Sequence, residues 1–262
     1  MDILLLLVFG GLAGVMAGLL GIGGGLLIVP VLALLFERQG IAADVVMQSA
    51  IGTALATIVF TALSSARAHH RRGAVRWPLV RALTPGIVIG GLAGSVIADM
   101  LPGRVLHYVV AGFMLVIAVQ MAFGARAARP HRNLPGRAGL TTAGGIMGSL
   151  STLVGIGGGS LTVPFLTWCS VPVKQAIATA AAIGFPIAVA GTVGYIVGGL
   201  NESGLPPWSI GYVVVPAFAG IVTASVLAAP LGARLAHRLS EVTLRRVFAV
   251  FLLVLALRML LA

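Results

Sequence analysis

The stretch Gly18-Leu-Leu-Gly21-Ile-Gly-Gly-Gly25-Leu-Leu-Ile-Val-Pro30 has a second copy, Leu153-Val-Gly155-Ile-Gly-Gly-Gly159-Ser-Leu-Thr-Val-Pro164, offset by 134 residues from Gly21 to Gly155. Four glycines in five consecutive positions break a helix, because glycine loses more backbone freedom on ordering than any other residue. Glycines that serve helix packing are spaced by helical turns instead. One such run is unsurprising among 36 glycines. Two runs followed at the same spacing by Val-Pro mark a duplication. Weaker echoes keep the same order: Ala50-Ile51-Gly52 with Ala182-Ile183-Gly184, Pro85 with Pro216, and 116–121 with 254–259. The chain therefore reads as two repeats, 1–125 and 138–262, joined by a basic connector over 126–137.

The surroundings of both runs are apolar. The 262 residues are 59% hydrophobic and 9% charged, with mean hydropathy +1.10, whereas soluble domains carry about 25% charged residues. Uncharged stretches such as 3–20, 45–66, 138–173 and 175–200 recur along the chain, and roughly 20 apolar residues span a bilayer as a helix. The expected class is an all-α polytopic membrane protein. The N-terminal stretch lacks a basic n-region and recurs later, so it reads as retained structure and not as a signal peptide. A single cysteine, Cys169, rules out an internal disulfide framework and any multi-cysteine metal or iron–sulfur site; no cofactor is expected.

Charge sets the expected orientation. Arg67, Arg71, Arg72, Arg76 and Arg81 form one basic region, Arg126, Arg129, Arg132 and Arg137 a second, and Arg234, Arg238, Arg245 and Arg246 a third. These hold thirteen of the seventeen Lys and Arg residues and one acid, Glu241. The net charge of +11 is thus read as cytoplasmic loops, with no nucleic-acid partner. The loop around Arg71 corresponds to 201–208 in the second repeat, which has no Lys or Arg. The turn at 99–104 corresponds to the arginine-rich region after Leu231. Equivalent loops of opposite bias predict inverted-topology repeats, a pattern common among secondary transporters.

Each repeat is then a glycine-broken helical segment plus three transmembrane helices, about 8 spans or 10 helical segments. The helices are expected near 45–65, 79–98 and 105–124, and near 175–199, 208–230 and 243–261. The broken segments 1–36 and 138–173 must each begin and end on one face. They form either hairpins or two unequal crossings, and both termini are periplasmic.

Irregular backbone at membrane depth is tolerated where it is buried in protein or lines a cavity. Val29 and Val163 precede proline and are pushed toward extended backbone, and proline suits a first helical turn. The helices after the breaks are therefore expected to begin near Pro30 and Pro164. Free N–H groups before such a helix bind anions without a charged side chain.

The duplicated G-I-G-G-G-x-x-x-V-P, the compact length and the paired layout resemble the TauE/SafE sulfite exporter family of bacterial inner-membrane permeases, over essentially the whole chain. The resemblance implies export of sulfite, a sulfonate, thiosulfate or a related sulfur anion, without ATP, across the bacterial inner (plasma) membrane. The second copy carries Ser160 and Thr162 where the first has Leu26 and Ile28, which assigns the hydroxyl donors to that copy.

The candidate substrate-binding set is Gly21, Gly23, Gly24, Gly25, Gly155, Gly157, Gly158 and Gly159 through their backbone. Gln48, Ser49, Ser160 and Thr162, which flank the breaks, join it through their side chains. Thr53, Thr57, Ser149, Ser151, Thr152, Thr179, Thr192 and Tyr195 read as ordinary interhelical hydrogen bonding. His69 and His70 read as residues of a solvated basic loop, Cys169 as a buried small hydrophobe, and Trp77, Trp168 and Trp208 as interfacial anchors.

No Asp or Glu falls within a predicted span, and intramembrane carboxylates are the usual ion relays. The expected mechanism is therefore facilitated anion efflux driven by the membrane potential, with one half moving against the other. The alternatives are an importer or channel-like permease for organosulfonates or other anions, a membrane scaffold, and an intramembrane enzyme. The last would need a nucleophile with its base, or a His/carboxylate metal set, within a span, and the sequence offers neither. The bilayer and a small anion are the expected partners; the sequence carries no sign of oligomeric state.

Overall fold

The computed structural model describes residues 3–20, 24–123, 133–235 and 241–261. They form ten helices in two successive sets of the same order. The first set is α1 (Ile3–Leu20), α2 (Gly25–Arg38), α3 (Ala43–His70), α4 (Trp77–Met100) and α5 (Gly103–Phe123). The second is α6 (Arg137–Val154), α7 (Gly159–Trp168), α8 (Val173–Gly198), α9 (Val215–Leu235) and α10 (Glu241–Leu261), with a two-stranded hairpin, β1 (Ser209–Ile210) and β2 (Val213–Val214), before α9. Helices α3, α4, α5, α8 and α9 are long and apolar enough to cross a membrane. At 1.5 Å per residue the 28 residues of α3 reach about 42 Å, beyond the roughly 30 Å hydrocarbon layer. The protein is an all-α polytopic membrane protein.

Backbone contacts fix the relative directions of the helices. Leu6, Gly10, Gly14 and Val15 of α1 meet Gly220, Ile221, Ser225 and Gly232 of α9 in ascending order, so these two helices run parallel. Leu83, Ile87 and Gly94 of α4 meet Gly144, Gly148 and Ser149 of α6 in the same sense. Thr61 pairs with Ser225 and Ser64 with Val226, so α3 also follows α9. In contrast, α3 and α8 are antiparallel: Gly52 lies against Tyr195, Leu55 against Gly191 and Ala62 against Gly184. Helices α5 and α10 are antiparallel as well, His107 near the start of one bonding Met259 near the end of the other at 2.6 Å.

Because α1 and α3 share a direction, the chain has to come back between them. Helix α2 makes that return. Gly25 begins beside Ile58, deep along α3, and only four residues separate the end of α2 from the start of α3. Helix α7 repeats the arrangement, Gly158 standing against Ala180 and Gly184 of α8. Each broken segment is thus a hairpin with one long and one short arm.

Two apolar cores result. The first is built mainly from α1, α2, α3, α5, α9 and α10 and the second mainly from α4, α6, α7 and α8. The sequence halves cross over between the cores: α4 of the first half joins α6, and α9 and α10 of the second half join α1 and α5. The α4–α6 and α1–α9 joints both bring backbone against backbone. A methyl group on Gly86 or Gly90 of α4 would enter the backbone of α6, and one on Gly14 would enter that of α9. Small residues allow such approach, which is how helices gain packing energy in lipid.

Four expectations are corrected. Helices α2 and α7 begin at Gly25 and Gly159, not near Pro30 and Pro164. The carbonyls of Gly24 and Gly158 already accept N–H bonds from Ile28 and Thr162, so each helix nucleates at its last glycines and carries its proline in the second turn. The span expected at 208–230 starts only at Val215, because Gly211, with φ 54°, opens a two-residue hairpin loop between the strands. His69 is not in a solvated loop: α3 continues to His70, and His69 is buried with its Nε2 3.1 Å from the Gly18 carbonyl. Asp99 lies inside a helix, in the last turn of α4. Gly21, Gly23 and the connector residues 124–132 lie outside the described residues.

Candidate functional site

The two glycine breaks meet. Gly24 closes the first with φ 80°, a left-handed value that glycine adopts without a steric penalty. In the second, α6 stops at Gly155 with φ 72°, and the Ile156 N–H returns to the Ser151 carbonyl at 2.8 Å. A methyl group on Gly25 would strike the carbonyl oxygen of Gly155 and stand 3.1 Å from Ile156 Cα. One on Gly155 would press on Val29 and Ile51 at 2.7 and 3.0 Å. The N-terminus of α2 therefore faces the end of α6, over a floor made by Ile51 and Ile58 of α3. Gly155, Gly157, Gly158 and Gly159 are all buried, as are Gly24 and Gly25.

The side chains assigned from the sequence separate into two groups. Ser160, in the first turn of α7, is buried and its Oγ makes no hydrogen bond. Ser49 shares that state, and Gln48 keeps an unpartnered Oε1 while its Nε2 donates to the Leu101 carbonyl at 3.1 Å. Thr162 is engaged elsewhere, its hydroxyl directed at Met147 Sδ at 3.7 Å. Ser151, expected to serve packing, has a fully buried Oγ without a partner, one turn before Gly155. An unmet buried hydroxyl costs about 1–3 kcal/mol, so each of these is a position the fold keeps at a cost. Thr152 shows the contrast: its Oγ1 donates to the Gly91 carbonyl at 2.9 Å and is fully employed in packing.

A strap covers the neighbouring end of α3. In the segment 208–214, Tyr212, Val213 and Val214 are buried. The Tyr212 N–H donates to the Tyr195 carbonyl at 3.2 Å, and the Val214 N–H donates to Thr53 Oγ1 at 3.0 Å. Tyr212 Oη donates to Asp99 Oδ1 at 2.9 Å. Burial and then that carboxylate raise the phenol above its ordinary pKa, so it stays a donor. Its ring meets Tyr195 edge-on at 6.1 Å, and Tyr195 Oη in turn donates to the Thr152 carbonyl beside the second break at 3.3 Å.

Below the strap, Thr53, Thr57, Thr61, Ser65 and His69 are buried along one face of α3 at four-residue spacing. Thr61 pairs with Ser225 at 2.9 Å, and His69 reaches the end of α1. The sequence signal for this run is its i, i+4 regularity, which the polar residues Thr53 and Thr57 begin and the three further positions extend. Among the described residues no cluster of three His, Cys, Asp or Glu side chains could hold a metal.

The chain matches the family described as Sulfite exporter TauE/SafE over residues 6–259. It is 36% identical over 257 residues to a probable membrane transporter protein of Haemophilus influenzae, covering 98% of this chain and 97% of that one. A probable membrane transporter protein of Methanocaldococcus jannaschii is 28% identical over 260 residues, with 98% and 95% covered. One from Bacillus subtilis is 30% identical over 220 residues, with 76% and 80% covered. No solved structure gives a significant match. With nearly its full length matched and with paired glycine breaks set in a helical membrane bundle, the chain belongs to the TauE/SafE sulfite exporter family and is a membrane transporter.

Proposed function

We propose that the protein exports sulfite or a related small sulfur-containing anion through a site between the two glycine breaks. The observation that carries this reading is the meeting of Gly25, where α2 starts, with Gly155, where α6 ends four residues before α7 begins, near unpartnered serine hydroxyls. The first N–H groups of a helix have no partner within it, and each N-terminus carries about half a positive charge. With Ser151 in the last turn of α6 and Ser160 in the first turn of α7, the arrangement offers a small anion donors without a formal cation. The antiparallel pairing of the equivalent helices α3 with α8, and α5 with α10, supports two halves inverted across the bilayer. Together with the basic regions it supports cytoplasmic Arg71 and Arg137 loops, periplasmic termini and a bacterial plasma-membrane location.

The moving parts follow the packing and not the sequence halves. Since α1 is locked to α9 and α4 to α6 through glycine backbones, sliding one sequence half against the other would break both joints. The bodies that separate are α1–α2–α3–α9 and α6–α7–α8–α4. Their common face is the α3–α8 contact, with Gly25 on one side and Gly155 on the other. An inside-negative potential contributes roughly 2.3 kcal/mol per charge per 100 mV and drives the anion outward.

The test is radiolabelled sulfite flux in proteoliposomes of known protein orientation under an imposed potential. Outward flux that grows with inside-negative potential is the expected result. Flux that ignores the potential and follows a pH gradient overturns the driving force. Strictly inward flux leaves the site standing and makes the protein an importer.

A further inference from the structure

The charge inventory of the interior bears on which anions the site accepts, a question that rests on the anion-site reading above. Among the described residues every buried polar or charged side chain is Ser, Thr, Gln or His; no Asp, Glu, Lys or Arg is buried. Among the described residues the one buried histidine is His69, which lies at the far end of α3 against Gly18. What the breaks provide instead is two helix N-termini and the hydroxyls of Ser160, 6% exposed, and Ser151, 1% exposed, neither with a hydrogen-bond partner. Each N-terminus carries about half a positive charge, and the C-terminal end of α6 at Gly155 opposes it, so the fixed positive charge at the joint is less than about one unit.

That balance discriminates by charge. The cost of taking an ion out of water into a low-dielectric interior grows as the square of its charge, and burying an unbalanced charge is prohibitive. Attraction to a fixed positive potential grows only in proportion to the charge. Passing from one negative charge to two therefore doubles the attraction and quadruples the cost. An arginine or lysine would favour a dianion more than a monoanion, and among the described residues none is buried. The hydroxyls add a second preference. A serine both donates and accepts, so Ser151 and Ser160 can accept from an S–OH group as well as donate to its oxygens, which N–H donors alone cannot do.

We infer that the site selects singly charged oxyanions: alkanesulfonates, and sulfite only in its hydrogen sulfite form. Sulfite then crosses with its own proton attached. The substrate carries the proton that other transporters move through an intramembrane carboxylate, and this chain needs no such relay.

The experiment is calorimetric titration of the purified protein at constant ionic strength with methanesulfonate, a permanent monoanion, with sulfate, a permanent dianion at these pH values, and with sulfite on both sides of the pH at which it loses its second proton. The expected result is methanesulfonate binding, with sulfate at least about tenfold weaker. Affinity for total sulfite should decline with pH in step with the hydrogen sulfite fraction. The S151A/S160A double variant, which removes hydroxyls that support nothing in the fold, should weaken methanesulfonate by about tenfold, as expected for the loss of a hydrogen bond to a charged group. Sulfate binding as tight as methanesulfonate, or sulfite affinity that climbs with pH, overturns the charge selection while leaving an anion site. Binding of none of the three overturns the anion site and the inference together.

Discussion

Gly25 and Gly155 touch across the centre of the protein, the Cα of one lying against the carbonyl oxygen of the other with no room for a methyl group between them. The two residues are the last glycine of the first run and the first glycine of the second. A helix start is thus held against a helix end, and the repeated motif serves as the two sides of a single joint.

That joint predicts a graded response to alanine. Gly25→Ala forces overpacking, expected to cost about 1–3 kcal/mol. Gly155→Ala adds a left-handed backbone penalty of about 1–2 kcal/mol to its contacts with Val29 and Ile51. Gly112, inside α5 with nothing within 4 Å of where a methyl group would sit, is the internal control; Gly112→Ala should stabilise by about 0.5–1 kcal/mol. Unfolding midpoints of the detergent-solubilised variants check the order, and equal effects at all three positions would contradict the contact.

Removing the unpartnered hydroxyls should separate stability from function. Ser151→Ala and Ser160→Ala each relieve an unmet hydrogen bond, so the melting temperature should stay level or rise. Flux of the transported anion should fall. Variants that transport normally would return both residues to packing.

Crosslinking tests which bodies move. The Ala62 Cβ lies 3.5 Å from where a Cβ on Gly184 would be, a separation within the range that disulfides take. In a Cys169→Ala background, A62C/G184C joins α3 to α8 and should stop transport on oxidation and restore it on reduction. Positions 91 and 190, both within the α4–α8 body at 3.0 Å, provide the comparison. G91C/A190C has to shift by a few tenths of an ångström to close and should leave transport running. Inhibition by both crosslinks would show that the sequence halves move as units after all, since each crosslink joins one half to the other.

The strap predicts a change in access. Tyr212→Phe removes the bond to Asp99 and should let 208–214 lift more often. Ser49 lies one turn from Gly52, which Tyr212 covers. Labelling of S49C by a small thiol reagent from that side should therefore accelerate by about tenfold, the value of one hydrogen bond to a charged group. Unchanged labelling would mean that the strap is held by its backbone bonds to Tyr195 and Thr53 alone.

How much of the structure is legible in the sequence differs between features. The glycine runs and the apolar composition lead to a duplicated helical membrane protein, because breaks and spans are local properties. The helix starts fall earlier than the prolines suggest because a competing local fact prevails: glycine carbonyls at 24 and 158 are free to begin the helices first. The strap reads as membrane helix because Tyr212, Val213 and Val214 are as apolar as a span, and only the hairpin geometry at Gly211 separates the two. Burial of His69 cannot be read locally, since the group that covers it is the end of α1, 51 positions away. The same holds for Ser151 and Thr152, adjacent and alike in sequence, of which only Thr152 finds a carbonyl on α4.

The exchange of α4 and α9 between the two cores has a consequence for how the protein comes into being. Gly10 of α1 and its partner Ile221 of α9 are 211 positions apart, and contacts so distant along a chain form late. During synthesis α1 enters the bilayer with its glycine edge facing lipid and keeps it open until almost the whole polypeptide has been made. A chain interrupted after the first repeat leaves that edge unmatched, with α4 equally deprived of α6. The first half is not a small transporter awaiting a copy of itself; it becomes a folded object only when the second half arrives.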